Sequence, residues 1–477
     1  MRGALSHFAQ DGYKTAPFKS QNMALNSFVT RDGLEMGRAQ VVQAQAAGVE
    51  PDVRMNPILL KPSSDVGSQV IVNGEVRGDM PAKEYFRRKK SLIPDILRAY
   101  DSLADEFDII VIEGAGSPAE INLKADDIVN MGLAKLVDAP VLLAGDIDRG
   151  GVFAQLYGTV ALLEPDERTR ICGLIINKFR GDVEILRPGL AMLEEKTQLP
   201  VLGVVPYLRV DIEDEDSLAP RLQSKSAVKP LDAAVLRLPH ISNFTDFMPL
   251  EQHPLLGVRY VQSVRELGAP DLVILPGTKN TVNDLLWLRQ SGLEAAVLKL
   301  AAGGTPVLGV CGGYQLLGET LDDSQGTESG HPQTLRGLGL LPTRTSLPPK
   351  SAAHRSRLRL PRFAGAALTG YEIHTGRTAV NGAPFCRYAD GTPEGCVQNA
   401  VFGTYLHGLF DSGELTEQLA RTSAAARESR RRPPRRLRWP DYPHTAAGPA
   451  ADGVRSALDM GAVYAAMGLH NPRGGKK

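Results

Sequence analysis

VLGVCGGYQ, residues 307–315, is the stretch from which the rest of the chain is best read. The apolar run Pro306 to Val310 leads into Gly-Val-Cys-Gly-Gly, and a helix-like segment, YQLLGETL, follows. A buried strand, a sharp turn and a helix make a nucleophile elbow, which lifts one reactive side chain out of the backbone. Here that side chain is Cys311. The thiolate is the nucleophile, and a free cysteine titrates at about 8.5. The positive end of the following helix and a nearby histidine would both lower that value. Gly309, Gly312 and Gly313 are expected to supply turn angles that a side chain would forbid and to let a substrate come close. A buried structural thiol is the alternative. Gly-x-Cys-x-Gly behind an apolar strand favours the nucleophile.

A chain of 477 residues is too long for one ordinary domain and predicts two or three. The 43% hydrophobic and 23% charged content is that of a globular protein. Lys+Arg and Asp+Glu both number 54, so no global field draws the chain to nucleic acid or to an anionic membrane. Cys172, Cys311, Cys386 and Cys396 are irregularly spaced without a CxxC, which suggests neither a disulfide framework nor a zinc knuckle. No apolar run approaches the ~20 residues of a membrane span and no signal peptide is visible, so a reducing cytoplasm is expected.

Residues 1–212 alternate short apolar runs with helical patterns, the mark of a doubly wound α/β sheet. The runs are YKTAPF (13–18), FDIIVIEG (107–114), APVLLAGDI (139–147), ICGLIINK (171–178) and PVLGVVP (200–206). Ligands bind such sheets at the carboxyl ends of the strands, where this sequence sets Lys19, Gln21 and Asn22, then Glu113, then Asp146 and Asp148, then Asn177. A carboxylate there suits Mg²⁺ held against a phosphate, and an amide suits a base. Each is weak alone, and four on one edge point to nucleotide chemistry. No G-x-x-x-x-G-K-[ST] occurs in the chain. ALSHFAQDG resembles the tail of a helix that a phosphate loop would precede, so this half is expected to be N-terminally truncated: either the start is placed late, or the chain holds ATP poorly.

Residues 213–230 are polar with prolines and read as a linker. A second α/β pattern fills 231–420, through LDAAVLRLP (231–239), GVRYVQ (257–262), DLVILPG (271–277) and TPVLGV (305–310). The glycine turn of LPGTKNT is a place for backbone amides that bind an oxyanion. His407, flanked by glycines in GTYLHG, is the candidate base. Residues 421–477 begin with a basic, proline-containing arm, read as solvated, and end in a helical pattern.

The stretches APFKSQNMALNS, MNPILLKP, EGAGSPAEINL, DIDRGGVFA, NKFRGD, LPHISNFTDF, GVCGGYQ, GYEIHTGRT and GTYLHGLFD together resemble the cobyric acid synthase family of cobalamin-biosynthesis amidotransferases. The likeness runs from about residue 8 to 412. It implies a P-loop-NTPase-like, dethiobiotin-synthetase-like half that uses MgATP to activate corrinoid carboxylates, and a class I glutaminase-like half that supplies ammonia from glutamine. The family amidates the b, d, e and g side chains of adenosylcobyrinic acid a,c-diamide. By that resemblance Cys311 forms the glutamyl thioester with His407 as its base, and the amides of Gly277 and Gly312 form the oxyanion hole. Glu113 holds Mg²⁺, with Asp146 or Asp148 beside it. Lys19, Gln21 and Asn22 face phosphate or substrate, and Asn177 faces the adenine. The class I pattern His-x-Glu is not met, since Leu409 stands two residues after His407, and a Cys–His dyad is expected. Two other readings stay open: a related a,c-diamide synthase, and a glutaminase-like module beside a synthetase half that does not work. Oligomeric state is not legible.

Overall fold

The computed structural model describes residues 1–64, 67–208, 229–348, 352–360, 366–411, 413, 415–421, 453 and 455–468. Most of the expected linker and the basic arm lie outside the described residues.

In chain order the first half contains α1 (Arg2–Gln10), β1 (Thr15–Phe18), β2 (Gln21–Met23), α2 (Arg38–Ala46), β3 (Ile58–Ser64), β4 (Gly67–Val72), β5 (Glu75–Pro81), α3 (Ile93–Ala104), β6 (Ile109–Ile112), β7 (Val141–Asp146), α4 (Val152–Leu162), β8 (Ile171–Phe179), α5 (Val183–Thr197) and β9 (Val201–Pro206). The five apolar runs of the sequence are β1, β6, β7, β8 and β9. They form two parallel sheets, β1–β6 and β9–β8–β7. Helix α3 shows why such segments pack as they do. Pro94 starts it, and Ile96, Ala99 and Leu103 fall on one buried face, against a core that includes Phe18 and Met36. The ring of Tyr100 meets Phe18 edge-on at 5.4 Å.

Two features depart from expectation. Strands of a parallel sheet are ordinarily covered on both faces, yet in β7 Leu142 is 37% exposed and Val141 and Leu143 are half-buried. Among the described residues β6 pairs only with β1, and β7 only with β8. The second feature is a sheet of order β2–β3–β4–β5, antiparallel apart from its β2–β3 pair, between residues 21 and 81. The sequence pattern had not marked it.

The second half holds β10 (Leu231–Leu236), β11 (Leu256–Val261), β12 (Leu272–Leu275), β13 (Val307–Val310), α6 (Gly312–Leu317), β14 (Ala366–His374), β15 (Cys396–Gln398), β16 (Val401–Thr404) and β17 (Leu406–His407). One six-stranded sheet runs β11–β10–β12–β13–β16–β15, parallel up to its last, antiparallel strand. Every residue of β12, β13 and β16 is buried. The helix after Cys311 is shorter than YQLLGETL suggests. It stops at Gly318, where a Cβ would stand 2.7 Å from Thr343 Oγ1, and Thr320–Asp323 is a strand.

The halves are joined through side chains. The Ser27 amide donates to Asn243 Oδ1 at 2.9 Å, and the Tyr371 hydroxyl donates to the Ser27 carbonyl at 3.2 Å. The C-terminal helix α7 (Met460–Ala466) returns to the first half. Its buried Tyr464 joins Phe8, Ile109 and Leu202 in one cluster.

Candidate active site

The sheet delivers Cys311 where β13 ends. Its amide donates to the Thr404 carbonyl at 2.8 Å, which ties the elbow to β16. Cys311 itself adopts φ 53° and ψ −112°, a strained conformation of the kind kept at functional sites. The glycines serve differently from expectation, for none of Gly309, Gly312 and Gly313 has a positive φ. They are small because the backbone is crowded. A Cβ on Gly313 would lie 1.9 Å from the Leu275 carbonyl oxygen, and one on Gly312 would lie 2.5 Å from Thr278 Cγ2.

His407 ends β17, 1% exposed, and lines one cavity with Cys311, whose thiol donates to the Ile373 carbonyl at 3.4 Å. His407 Nδ1 lies 2.6 Å from Asp246 Oδ2. The second oxygen of Asp246 accepts from the Gly408 amide at 3.1 Å. The ring of Tyr371 stacks on His407 at 5.5 Å. Burial pulls the His407 pKa down, but the Asp246 carboxylate and Cys311 outweigh it and raise the value to about 10. The arrangement favours the imidazolium form of His407 next to Cys311. The expected dyad is thus completed by a third member, which the sequence reading missed. Asp246 lies 161 residues before His407, in the Phe244–Phe247 turn, and only the unfilled His-x-Glu slot hinted that a carboxylate must come from elsewhere.

Gly277 lies against His407, where a Cβ would be 3.5 Å from its Cε1. Gly312 packs on Thr278, the next residue. The two candidate oxyanion amides therefore belong to adjoining segments beside the thiol. Asp284 steadies this loop by accepting from the Thr278 hydroxyl at 2.5 Å and pairing with His240 Nδ1 at 2.7 Å. A cavity opens in front of Cys311 and His407. Gln315, Thr281 and Glu328 line it from the second half, and Glu35, Lys61 and Gln69 from the first.

The strand-end residues of the first half fall into two groups. Lys19 Nζ sits 3.6 Å from Glu113 Oε1, and Gln43 Nε2 donates to the other Glu113 oxygen at 2.6 Å. Asp146 and Asn177 are register partners at the ends of β7 and β8. Asp146 accepts from Lys178 at 2.7 Å, and Arg180 pairs with Asp148 at 2.9 Å. Burial opposes ionisation of Asp146, but Lys178 holds it below the ordinary carboxylate range. Gln21 and Asn22 stand on β2, in the antiparallel sheet. The Tyr85 hydroxyl donates to Gln21 Oε1 at 2.5 Å, and Asn22 Nδ2 donates to Gln40 Oε1 at 3.0 Å. Their amides are engaged by protein groups. Among the described residues no cluster of three His, Cys, Asp or Glu is placed to hold a metal. One carboxylate with phosphate oxygens and waters is nonetheless what Mg²⁺ commonly accepts, and Glu113 fits that part. No described helix is long and apolar enough to cross a membrane.

Comparison with known proteins gives this geometry its class. Residues 232–415 match the CobB/CobQ-like glutamine amidotransferase domain, and residues 4–218 match the CobQ/CobB/MinD/ParA nucleotide binding domain. The protein is a glutamine amidotransferase of the ligase kind, with a nucleotide-binding first half. A cobyric acid synthase of Lachnoclostridium phytofermentans is 52% identical, over 96% of this chain and 94% of its own. Those of Ruminiclostridium cellulolyticum and Streptococcus sanguinis are each 51% identical over 96% of this chain, and 92% and 93% of theirs. A solved glutamine amidotransferase aligns at 16% identity and TM-score 0.32, over 40% of this chain and 98% of its own. The chain belongs to the cobyric acid synthase family, whose members carry out amidation in cobalamin biosynthesis.

Proposed function

We propose that this chain amidates the b, d, e and g carboxylates of adenosylcobyrinic acid a,c-diamide with ammonia drawn from glutamine, at the expense of ATP. The observation that carries the reading is the Cys311–His407–Asp246 constellation on an elbow, facing a cavity that the nucleotide-binding half helps to line. The Cys311 thiolate attacks the glutamine carboxamide. His407, held by Asp246, gives its proton to the departing ammonia, and the amides of Gly277 and Gly312 hold the oxyanion. Water then releases glutamate from the thioester, with His407 as base.

In the first half, ATP phosphorylates a corrinoid carboxylate, releasing ADP. Ammonia displaces phosphate from the acyl phosphate to form the amide. Lys19 neutralises phosphate charge and Asn177 faces the adenine. Glu113 and Asp146 are the carboxylates that would hold Mg²⁺, which would screen the phosphates. Both ammonia and the acyl phosphate are lost readily to water, so a closed path between the two sites is the chief physical requirement.

The test is Cys311→Ala with adenosylcobyrinic acid a,c-diamide, ATP and either glutamine or ammonium chloride. Amidation should vanish with glutamine and persist with ammonium. Retained glutamine-supported turnover would refute the elbow assignment. Ammonium-supported turnover that does not need ATP would refute the role of the first half.

A further inference from the structure

The cavity in front of Cys311 contains charges that the chemistry at the thiol does not use. Lys279 follows the Gly277-Thr278 pair and is half-buried on the cavity wall. Its ammonium donates to Gln69 Oε1 at 2.9 Å, and no carboxylate stands within 4.0 Å of it among the described residues. Glu328 is half-buried on the same wall. One oxygen accepts from the Val282 amide at 3.0 Å, the other from the Thr281 hydroxyl at 3.3 Å. Among the described residues no Lys or Arg lies within 4.0 Å of it. The two groups sense each other electrostatically without meeting. Both also carry the cost of their surroundings. Burial, with Lys61 nearby, lowers Lys279 to about 8, against the opposing pull of Glu35, Asp79 and Glu328. Burial raises Glu328 to about 7.

An unpaired ammonium and an unpaired carboxylate in one enclosed cavity are expensive unless something supplies their counter-charges. The neighbouring Lys61 shows the ordinary solution, an ion pair with Glu35 at 2.6 Å supported by the Ser27 hydroxyl at 3.0 Å. Lys279 and Glu328 are kept apart instead, and a gap between a cation and an anion fits a zwitterion. The same cavity holds the thiol that receives a carboxamide, and a free amino acid carries its zwitterion at the opposite end of the molecule from its side-chain amide. Thr281 links the two ends, since its hydroxyl reaches both Glu328 and Gln315, four residues after the nucleophile, at 3.0 Å to the latter.

We propose that Lys279 and Glu328 determine specificity for free glutamine, Lys279 pairing with its α-carboxylate and Glu328 with its α-ammonium, and that Gln69 of the nucleotide-binding half positions Lys279. The assignment rests on the reading of Cys311 as a glutaminase nucleophile. It makes the head-group subsite composite, so the first half tunes affinity for the ammonia donor through a single hydrogen bond.

The experiment measures ammonia released by the full chain from L-glutamine, from its methyl ester, which lacks the carboxylate charge, and from glutaramate, which lacks the amino group. Lys279→Met should raise KM for glutamine about 10- to 100-fold, leave kcat within a few-fold, and erase the preference for glutamine over the ester only. Glu328→Gln should erase the preference for glutamine over glutaramate only. Gln69→Leu should raise KM for glutamine by a smaller factor, about 3- to 10-fold. These preferences are ratios within one preparation, so they do not depend on the folded fraction. Unchanged preferences in an active protein overturn this assignment alone. A wild-type chain that releases no ammonia from glutamine, like its Cys311→Ala variant, overturns the glutaminase reading and this assignment with it.

Discussion

Replacing Asp246 with asparagine removes one charge and tests what that charge contributes. Asp246 is 6% exposed and accepts two hydrogen bonds, from His407 Nδ1 and the Gly408 amide. An asparagine offers one oxygen for two donors, so its NH₂ must face either the ring nitrogen or the amide. The electrostatic loss can be reckoned twice. Raising a histidine from its ordinary ~6.5 to about 10 corresponds to roughly 5 kcal/mol favouring the imidazolium. Coulomb attraction between unit charges about 4 Å apart, at an effective dielectric near 20, is worth about 4 kcal/mol. Asp246 is the largest of the influences that raise the value, ahead of Cys311 and against burial. A transition state that needs His407 charged then loses about 4 kcal/mol, or roughly 10³ in rate. Asp246→Asn should therefore lower kcat for glutamine hydrolysis about 10³-fold with little change in KM, while ammonium-supported amidation persists. Glutamate release and amide formation are measured on the same preparation. A variant within about tenfold of wild type would show that Cys311 and His407 act as a true dyad.

Stability provides a further reading of His407. Its folded pKa is raised, so its contribution is fully present below about pH 6.5 and lost as pH climbs through about 10. The urea midpoint difference between wild type and His407→Gln should shrink between those limits, and a constant difference would deny the charge. Gly313→Ala should destabilise by roughly 3 kcal/mol or more in urea unfolding, because the new Cβ would lie 1.9 Å from a backbone carbonyl that cannot move aside. Unchanged stability would mean that the elbow packs otherwise. Glu113→Gln removes the carboxylate 3.6 Å from Lys19, and should cut ATP-dependent amidation about tenfold or more while glutamine hydrolysis stays intact. Equal loss of both activities would place Glu113 outside the nucleotide site. Tyr464→Phe removes the hydroxyl that donates to Asp11 at 2.6 Å and should cost about 1 kcal/mol of stability, checked by thermal unfolding.

The sequence made legible whatever is written in short apolar runs. Each run assigned from the pattern is a strand of a parallel sheet, because such strands carry their burial in continuous aliphatic residues. Cys311 was legible for the same reason, as a reactive residue at the end of such a run. The sheet made by β2–β5 was not. Its outer strand, EVRGDMP, alternates between exposed and half-buried positions without an apolar face, and its register comes from pairing rather than composition. Asp246 was hidden by distance. Only the fold brings the Phe244–Phe247 turn under β17, and Asn243, at φ 50°, sets the turn that aims it. The role of the elbow glycines was misjudged because a sequence shows that a residue is small without showing whether angles or neighbours require it.

The β2–β5 sheet also connects the Lys19–Glu113 pair with the cavity of Cys311. Lys19, at the end of β1, is followed within two residues by β2, which pairs in parallel with β3. Strand β3 carries Lys61 and its neighbour β4 carries Gln69, and both side chains line the cavity of Cys311. The path from the Lys19–Glu113 pair to the cavity of Cys311 is thus a short run of backbone and two strand pairings. Hydrogen-bonded strand pairs connect the segment after Lys19 with the strands that carry Lys61 and Gln69. At the far side of the molecule α7 closes back on the first half, with Arg455 on Asp11 at 2.7 Å and the Asp459 amide on the Leu202 carbonyl at 2.7 Å. Contacts on both sides thus join the halves. If ammonia passes between the halves as proposed, an interface fixed at two places would help keep it from water.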